Sequence, residues 1–159
     1  MTSDMRPLEY TPLVKGDIRL LYPATSDSGP EWALKSAKLM RGQDEPPLEF
    51  DALSYPWGDL DQTFPLMING QRLEVHHNLN QLLPYIMPRL EGRPIWIDAI
   101  CINQLDDNDK AQQLAVMAHI YRRAQTVWAW LGVHDDAAHR LLHKITEVAK
   151  VVRGHDDKF

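Results

Sequence analysis

One stretch of the sequence, from Asp98 to Gln104, places a carboxylate and two amides directly after a short apolar run, Ile95 to Ile97. Asp98 could hold a ribose hydroxyl or orient a catalytic loop. Alternatively, its carboxylate is structural and accepts N–H groups of the turn that follows, since a buried carboxylate needs such partners. Asn103 and Gln104 offer amide donors and acceptors, either for a polar ligand or for pinning their own loop.

A second stretch holds Tyr55, Trp57 and Gly58 and again follows an apolar run, Phe50 to Tyr55. The two aromatic rings could stack against a nucleotide base, and the glycine would let the backbone approach such a ligand closely. The same rings could instead cover the open end of a sheet as part of the core. Both interpretations are open at this point.

Cysteine and histidine chemistry is disfavoured by the sequence. Cys101 lies between Ile100 and Ile102, and an apolar environment raises the pKa of a thiol, so we interpret it as a buried filler. His139 and His143 are four residues apart, as zinc ligands on a helix can be, but no third ligand is fixed by spacing. We therefore predict no metal site and no required cofactor.

Length and composition favour one soluble domain. The chain has 159 residues, 44% of them hydrophobic and 25% charged, with a formal net charge of −5. An acidic chain without a long basic cluster is a poor partner for nucleic acid or for anionic membranes. A single cysteine, Cys101, fits a reducing compartment, so we expect a cytoplasmic protein. We expect residues 1–159 to form one domain with a core at about 10–150 and a frayed tail at 153–159.

Apolar spacing predicts a strand-rich N-terminal extension and then an alternation of strands and helices. Strands are predicted at 18–22, where Pro23 should end the strand, and at 32–40, 50–55, 64–68, 72–75, 95–97 and 126–131, with helices from about 79, 106 and 135. The helix from 79 has apolar residues at helical spacing, namely Leu79, Leu82, Leu83, Ile86, Met87 and Leu90. The acidic cluster at 106–109 predicts the start of the next helix, which has Leu114, Met117, Ala118 and Tyr121 on one face. Asn69-Gly70 suits the positive φ angles of a tight turn, which predicts a β-hairpin insertion there. The alternation predicts an α/β fold with a mainly parallel central sheet flanked by helices. Ligands of such sheets lie beyond the carboxyl ends of the strands, where both polar stretches fall.

Three stretches resemble, in order and separation, the heterokaryon-incompatibility (HET) domain of fungal nonself-recognition proteins. They read Ala-Leu-Ser-Tyr-Pro-Trp-Gly-Asp at 52–59, Ile-Trp-Ile-Asp-Ala-Ile-Cys-Ile-Asn-Gln at 95–104, and Met-Ala-His-Ile-Tyr at 117–121 followed by Val-Trp-Ala-Trp-Leu-Gly at 127–132. The resemblance covers roughly residues 10 to 133. One departure is Asp109-Lys110, where the family commonly has Glu-Arg, with the signs of charge kept.

The resemblance implies a cytosolic signalling module that triggers regulated cell death when incompatible cells fuse. It implies homotypic self-association and contacts with other signalling proteins. HET domains are also similar to TIR domains, which implies a TIR- or flavodoxin-like fold.

The likeness to TIR domains raises an alternative, an enzyme that cleaves NAD at the nicotinamide–ribose bond. TIR enzymes place a Glu on the helix after the third of these strands, and here that helix offers Glu147. The catalytic candidates are then Asp98 and Glu147, with NAD as the candidate substrate. A surface ion pair with Lys144 or Lys150 accounts for Glu147 more simply, because the residue shares a face with Arg140, His143 and Lys144 opposite the apolar stripe.

Overall fold

One seven-stranded sheet organises the computed structural model, which describes residues 5–27 and 29–130. The strands are β1 (Asp17–Ser26), β2 (Gly29–Lys38), β3 (Asp51–Ser54), β4 (Thr63–Ile68), β5 (Gln71–His76), β6 (Ile95–Trp96) and β7 (Val127–Ala129), in the spatial order β5-β4-β2-β1-β6-β3-β7. The helices are α1 (His77–Ile86), which a 3₁₀ turn (Met87–Leu90) extends, α2 (Asp98–Cys101) and α3 (Asp107–Arg123). The predicted helix from residue 135, which contains Glu147, lies outside the described residues.

The α/β class is confirmed, but the sheet is mixed rather than mainly parallel. β3 runs parallel to both β6 and β7, and β2 runs parallel to β4. By contrast, β1 is antiparallel to β2 and to β6, and β4 is antiparallel to β5. The reason is the position of the N-terminal strands. They were expected as an extension, yet β1 and β2 form the middle of the sheet and join its two parallel parts.

β1 supplies much of the core because it lies between two other strands. Ile18, Leu20 and Leu21 are fully buried. The strand continues past Pro23, which was expected to end it. Among the described residues, β1 pairs with β6 at Leu21 alone, so the edge of β1 beyond Leu21 has no strand on the β6 side within residues 5–27 and 29–130. A proline lacks a backbone donor, and such a free edge is where a strand tolerates one.

The predicted hairpin is confirmed between β4 and β5. Asn69 and Gly70 form the turn, with φ angles of 53° and 71°, respectively. The hairpin leads into α1, which buries the apolar face that the spacing of its residues predicted: Leu79, Leu82, Leu83 and Ile86. α1 continues past Pro84 and ends at Ile86, where it gives way to the 3₁₀ turn that contains Pro88. Pro88 has no N–H that could donate to the carbonyl four residues earlier.

α3 begins where the acidic cluster predicted. The side chain of Asp106 accepts hydrogen bonds from the N–H groups of Asn108 and Asp109 and caps the helix. The buried face differs from the predicted one, however, because it is centred on Gln113 and Ile120. The side-chain amide of Gln113 donates to the carbonyl of Asp17 at 2.9 Å, which lets a polar residue occupy the core side.

Because α3 buries a different face from the predicted one, two of its predicted core residues are exposed. Met117 and Tyr121 pack against the core, as expected. Leu114 is 57% exposed and Ala118 is exposed as well. Within residues 5–27 and 29–130, no helix is both long and apolar enough to cross a membrane.

A buried ion pair joins α3 to the middle of the sheet. Arg19 on β1 is 4% exposed, and its guanidinium donates to both carboxylate oxygens of Asp109, at 2.9 and 3.1 Å. It also donates to the carbonyls of Thr11 and Cys101, at 2.8 and 3.0 Å. Asp109 in turn accepts the backbone N–H of Asn103 at 2.7 Å. One cation therefore holds the N-terminal segment, the turn after α2 and the start of α3.

We expect Asp109→Ala to lower the free energy of unfolding by about 3–5 kcal/mol, because it leaves the Arg19 charge buried without a counter-charge. Asp107→Ala is the matched control on the same turn of α3. Its carboxylate is fully exposed, so its loss should cost less than about 1 kcal/mol. Urea unfolding followed by circular dichroism measures both changes. Equal costs for the two substitutions would contradict the importance of the pair.

Candidate functional site

The carboxyl ends of β3, β6 and β7 meet at one edge of the sheet, because these three strands are parallel neighbours. The loop from Tyr55 to Gly58 follows β3, and α2 begins one residue after β6. After β7, the N–H of Trp130 donates to the carbonyl of Ser54 at 2.9 Å and fixes the chain beside that loop. The fold thus gathers the two polar stretches of the sequence at the edge where a ligand is expected.

Asp98 is the first residue of α2 and the centre of this edge. Its carboxylate accepts the backbone N–H of Ala99 at 2.7 Å and the indole N–H of Trp57 at 3.3 Å. Burial raises the pKa of the Asp98 carboxyl above its ordinary value, and the hydrogen bonds from Ala99 and Trp57 act in the opposite direction. Two of the residues singled out in the sequence, Asp98 and Trp57, are therefore in direct contact.

Tyrosines contribute to the surroundings of Asp98 from two elements. Burial raises the pKa of Tyr55 above its ordinary value, and the negative charge of Asp98 raises it further. The same two causes, in the same order, raise the pKa of Tyr121 to about 12. The Tyr121 hydroxyl lies 3.2 Å from the carbonyl of Leu53 and donates to it. Both phenols are neutral at physiological pH and can act as hydrogen-bond donors or as ring surfaces.

Gly58 lets the loop after β3 pack against the start of α1. Its φ angle is +71°, and a Cβ at this position would lie 2.4 Å from the side-chain nitrogen of Asn78. That nitrogen donates to the carbonyl of Pro56 at 2.9 Å. The close approach that the sequence suggested for a ligand is thus made by a side chain of the same protein. Trp57 of the same loop packs beside the end of β5, with its ring centroid 6.2 Å from that of His76.

The amides of Asn103 and Gln104 pin their own loop in this structure. The side chain of Gln104 donates to the carbonyl of Asp98 at 3.0 Å. The side-chain oxygen of Asn103 accepts the N–H of Leu105 at 3.2 Å. Both bonds close turns within the segment that follows β6, and they favour the arrangement of the loop that the structure shows.

Cys101 is fully buried, as its apolar neighbours predicted. Burial raises the pKa of its thiol to about 12, so the nucleophilic thiolate is scarce near neutral pH. In the part of the chain that the structure describes, no three His, Cys, Asp or Glu side chains come together as metal ligands. His139 and His143 lie outside that part, as does Glu147.

Sequence reasoning missed a buried carboxylate at the opposite end of β3. Asp51 is fully buried, and it accepts the indole N–H of Trp128 at 2.9 Å and the guanidinium of Arg93 at 3.3 Å. These contacts tie β3 to β7 and to the turn before β6. The sequence does not indicate which residues contact Asp51, because Arg93 and Trp128 are 42 and 77 residues away from it.

Aromatic residues beyond the predicted ones also line the edge. Tyr85 of α1 and Trp130 pack with ring centroids 5.7 Å apart, and Tyr85 is 50% exposed. Two clefts of about 80 and 260 Å³ lie elsewhere in the described residues, and neither is lined by a predicted site residue. The edge is therefore a carboxylate among aromatic rings, which can bind a flat or positively charged group or present a contact surface.

Comparison with known proteins identifies relatives. Residues 50–158 match the family described as heterokaryon incompatibility protein (HET). The heterokaryon incompatibility protein 6, OR allele, of Neurospora crassa is 33% identical over 118 residues, which is 66% of this chain and 17% of that protein. The chain thus spans about a sixth of the length of this curated relative. No solved structure matches the chain.

We expect Asp98→Asn to raise the free energy of unfolding at pH 7. A raised pKa means that the folded chain holds the proton more tightly than the unfolded chain does. The stability that Asp98 contributes is thus complete below the unfolded pKa, about 4, and is lost as pH rises through the folded pKa. Asparagine keeps an acceptor oxygen but carries no charge. The difference in free energy of unfolding between Asp98→Asn and the wild type should therefore shrink as pH falls towards about 4.

Urea unfolding at several pH values measures this difference, with the exposed Asp61→Asn as the control for loss of one charge. If Asp98→Asn lowers stability by the same amount at every pH, the carboxylate serves only as a structural acceptor of the turn.

Proposed function

The chain belongs to the heterokaryon incompatibility (HET) family, and on that premise we propose that it is a signalling module of nonself recognition. In this proposal the module triggers regulated cell death. It acts by associating with itself and with other signalling proteins. It does so in the cytosol, a location that the single, reduced Cys101 supports.

The observation that carries the proposal is that the polar groups of the sheet edge bind one another. The side chains of Asp98, Asn103 and Gln104 all have hydrogen-bond partners within residues 57–105. A loop that is held by hydrogen bonds of its own side chains suits a module that presents a fixed surface to other proteins. Membership of the family supplies the biological context of that surface.

Inducible expression in a filamentous fungus tests the proposal. The 159-residue chain would be expressed alone and fused to a ligand-controlled dimerising module, and viability scored by uptake of a vital dye. We expect death when the chain is clustered and healthy cells with Asp109→Ala, which removes the counter-charge of Arg19. Healthy cells that accumulate the clustered, folded wild-type chain would contradict the proposal.

A second candidate function, hydrolysis of NAD, is favoured by the partly buried Asp98 carboxylate and the rings beside it. Water would replace nicotinamide at the ribose carbon, giving ADP-ribose, free nicotinamide and a proton. In this candidate, Asp98 stabilises the positive charge that develops on the ribose, and Tyr55 and Trp57 hold an aromatic group of the substrate. Glu147, which the likeness to TIR enzymes implies as a catalytic carboxylate, remains part of the candidate.

NAD consumption by the purified chain, dilute and clustered on a multivalent scaffold, tests this candidate. We expect turnover only in the clustered state, with loss of at least about 100-fold in Asp98→Ala or Glu147→Ala if either carboxylate is catalytic. Asp61→Ala is the matched control, since it removes an exposed carboxylate. Absence of turnover in the clustered wild type would eliminate the enzyme and leave the signalling proposal standing.

A further inference from the structure

The outer face of α3 is apolar in its middle and faces away from the core. Leu114 is 57% exposed, and Ala111, Ala115 and Ala118 are exposed beside it. The opposite face of the same helix holds the buried residues, among them Ile120. Within residues 5–27 and 29–130, α3 is therefore packed on one side only. Adjacent exposed Leu and Ala side chains on one helix face can form a contact surface, and the charges at the two ends of this face indicate which one.

Charged residues continue this face at both ends of the helix. Asp107 lies in the first turn and Arg122 in the last, and both are exposed. At about 100° per residue, positions 107, 111, 114, 118 and 122 fall within an arc of about 80°. We call these five residues, together with the adjacent Ala115, the α3 seam. Positions 107, 111, 114, 118 and 122 are spaced by four, three, four and four residues, which is the spacing of a helix–helix contact.

The α3 seam is complementary to itself when it is reversed. Reversal about the point between Leu114 and Ala115 places Asp107 opposite Arg122 and Ala111 opposite Ala118. The same operation places Leu114 opposite Ala115. A two-fold dimer needs this property, because each copy must offer the same surface to the other. Every opposed pair is then either acidic with basic or apolar with small.

We propose that the α3 seam is the surface through which two copies of this chain associate, with their α3 helices antiparallel. The proposal rests on the self-association in the proposed function and names the surface that makes it. The three alanines let the helix axes approach to about 8 Å, which brings Leu114 of each copy against Ala115 of the other. The antiparallel arrangement also sets the N-terminus of each helix near the C-terminus of the other, which their dipoles favour.

The acidic end of the α3 seam has a carboxylate that a second copy can reach. The Asp107 side chain is fully exposed, and its ion pair with Lys110 is long, at 3.9 Å. An exposed pair at that distance is weak, so Asp107 can exchange it for Arg122 of the second copy. One helix from each copy makes a small interface, and small interfaces belong to transient complexes. We therefore expect dissociation constants in the range of about 10 μM to 1 mM.

Sedimentation velocity of the full 159-residue chain over this concentration range measures the association. We expect Leu114→Asp to weaken it by at least about tenfold, because it buries a charge beside Ala115 of the second copy. Gln112→Asp adds the same charge to an exposed position of α3 outside the seam and should change the affinity by less than about twofold. Wild-type chain that stays monomeric at about 1 mM would overturn the inference.

Charge inversion tests the antiparallel register. Asp107→Arg and Arg122→Asp should each weaken self-association several-fold, since like charges then face each other twice in the symmetric dimer. An equimolar mixture of these two variants should associate as well as the wild type, because both charge pairs become opposite in the mixed dimer. The double variant should do the same with itself. A mixture no tighter than either variant alone would overturn the register.

Two further outcomes separate this inference from the proposed function. If Leu114→Asp lowers the thermal unfolding midpoint and leaves association unchanged, residues after 130 of the same chain cover the seam, and the inference fails. If Leu114→Asp abolishes association and this variant, expressed alone without the dimerising module, kills cells as the wild type does, the seam stands. In that case, the part of the proposed function that makes self-association the trigger is wrong.

Discussion

A charged side chain placed inside a sheet must be matched by an opposite charge, and Arg19 imposes that requirement on this fold. It lies on β1, between the two parallel parts of the sheet, and its carboxylate partner comes from α3. The same guanidinium holds the carbonyl of Cys101, and the same carboxylate holds the N–H of Asn103. The position of the loop that carries Asp98 therefore depends on a residue in the central strand pair.

This dependence accounts for the character of the sheet edge. In the segment after β6, the N–H of Asn103 donates to Asp109, the partner of Arg19. The side chains of Asn103 and Gln104 make further hydrogen bonds within the same segment. Trp57 and Asn78 fix the loop after β3 in the same manner. The edge is thus held in place by hydrogen bonds within the protein. A rigid surface loses little conformational entropy on binding, which suits both a protein contact and a preorganised carboxylate.

The parts of the fold that depend on neighbouring residues could be predicted from the sequence. The turn at Asn69-Gly70, the cap of α3 at Asp106 and the burial of Cys101 are all set by local spacing and chemistry. Partners far apart in the chain could not be predicted. Arg19 and Asp109 are 90 residues apart, and nothing in either neighbourhood indicates the other. For the same reason, the sequence did not predict that β1 and β2 lie in the middle of the sheet. It also did not predict that α3 buries the face that contains Gln113.

The strand order also bears on how the chain is made. β1 and β2 emerge from the ribosome before the other described strands and can pair at once as a hairpin. β3 emerges next on that side of the sheet, yet it cannot join β1, because β6 stands between them and is synthesised later. Until then, the backbone of β1 around Leu21, where β6 pairs, has no neighbour on that side. During that interval, this stretch of β1 is open to pairing with a strand of another chain, and such pairing competes with folding.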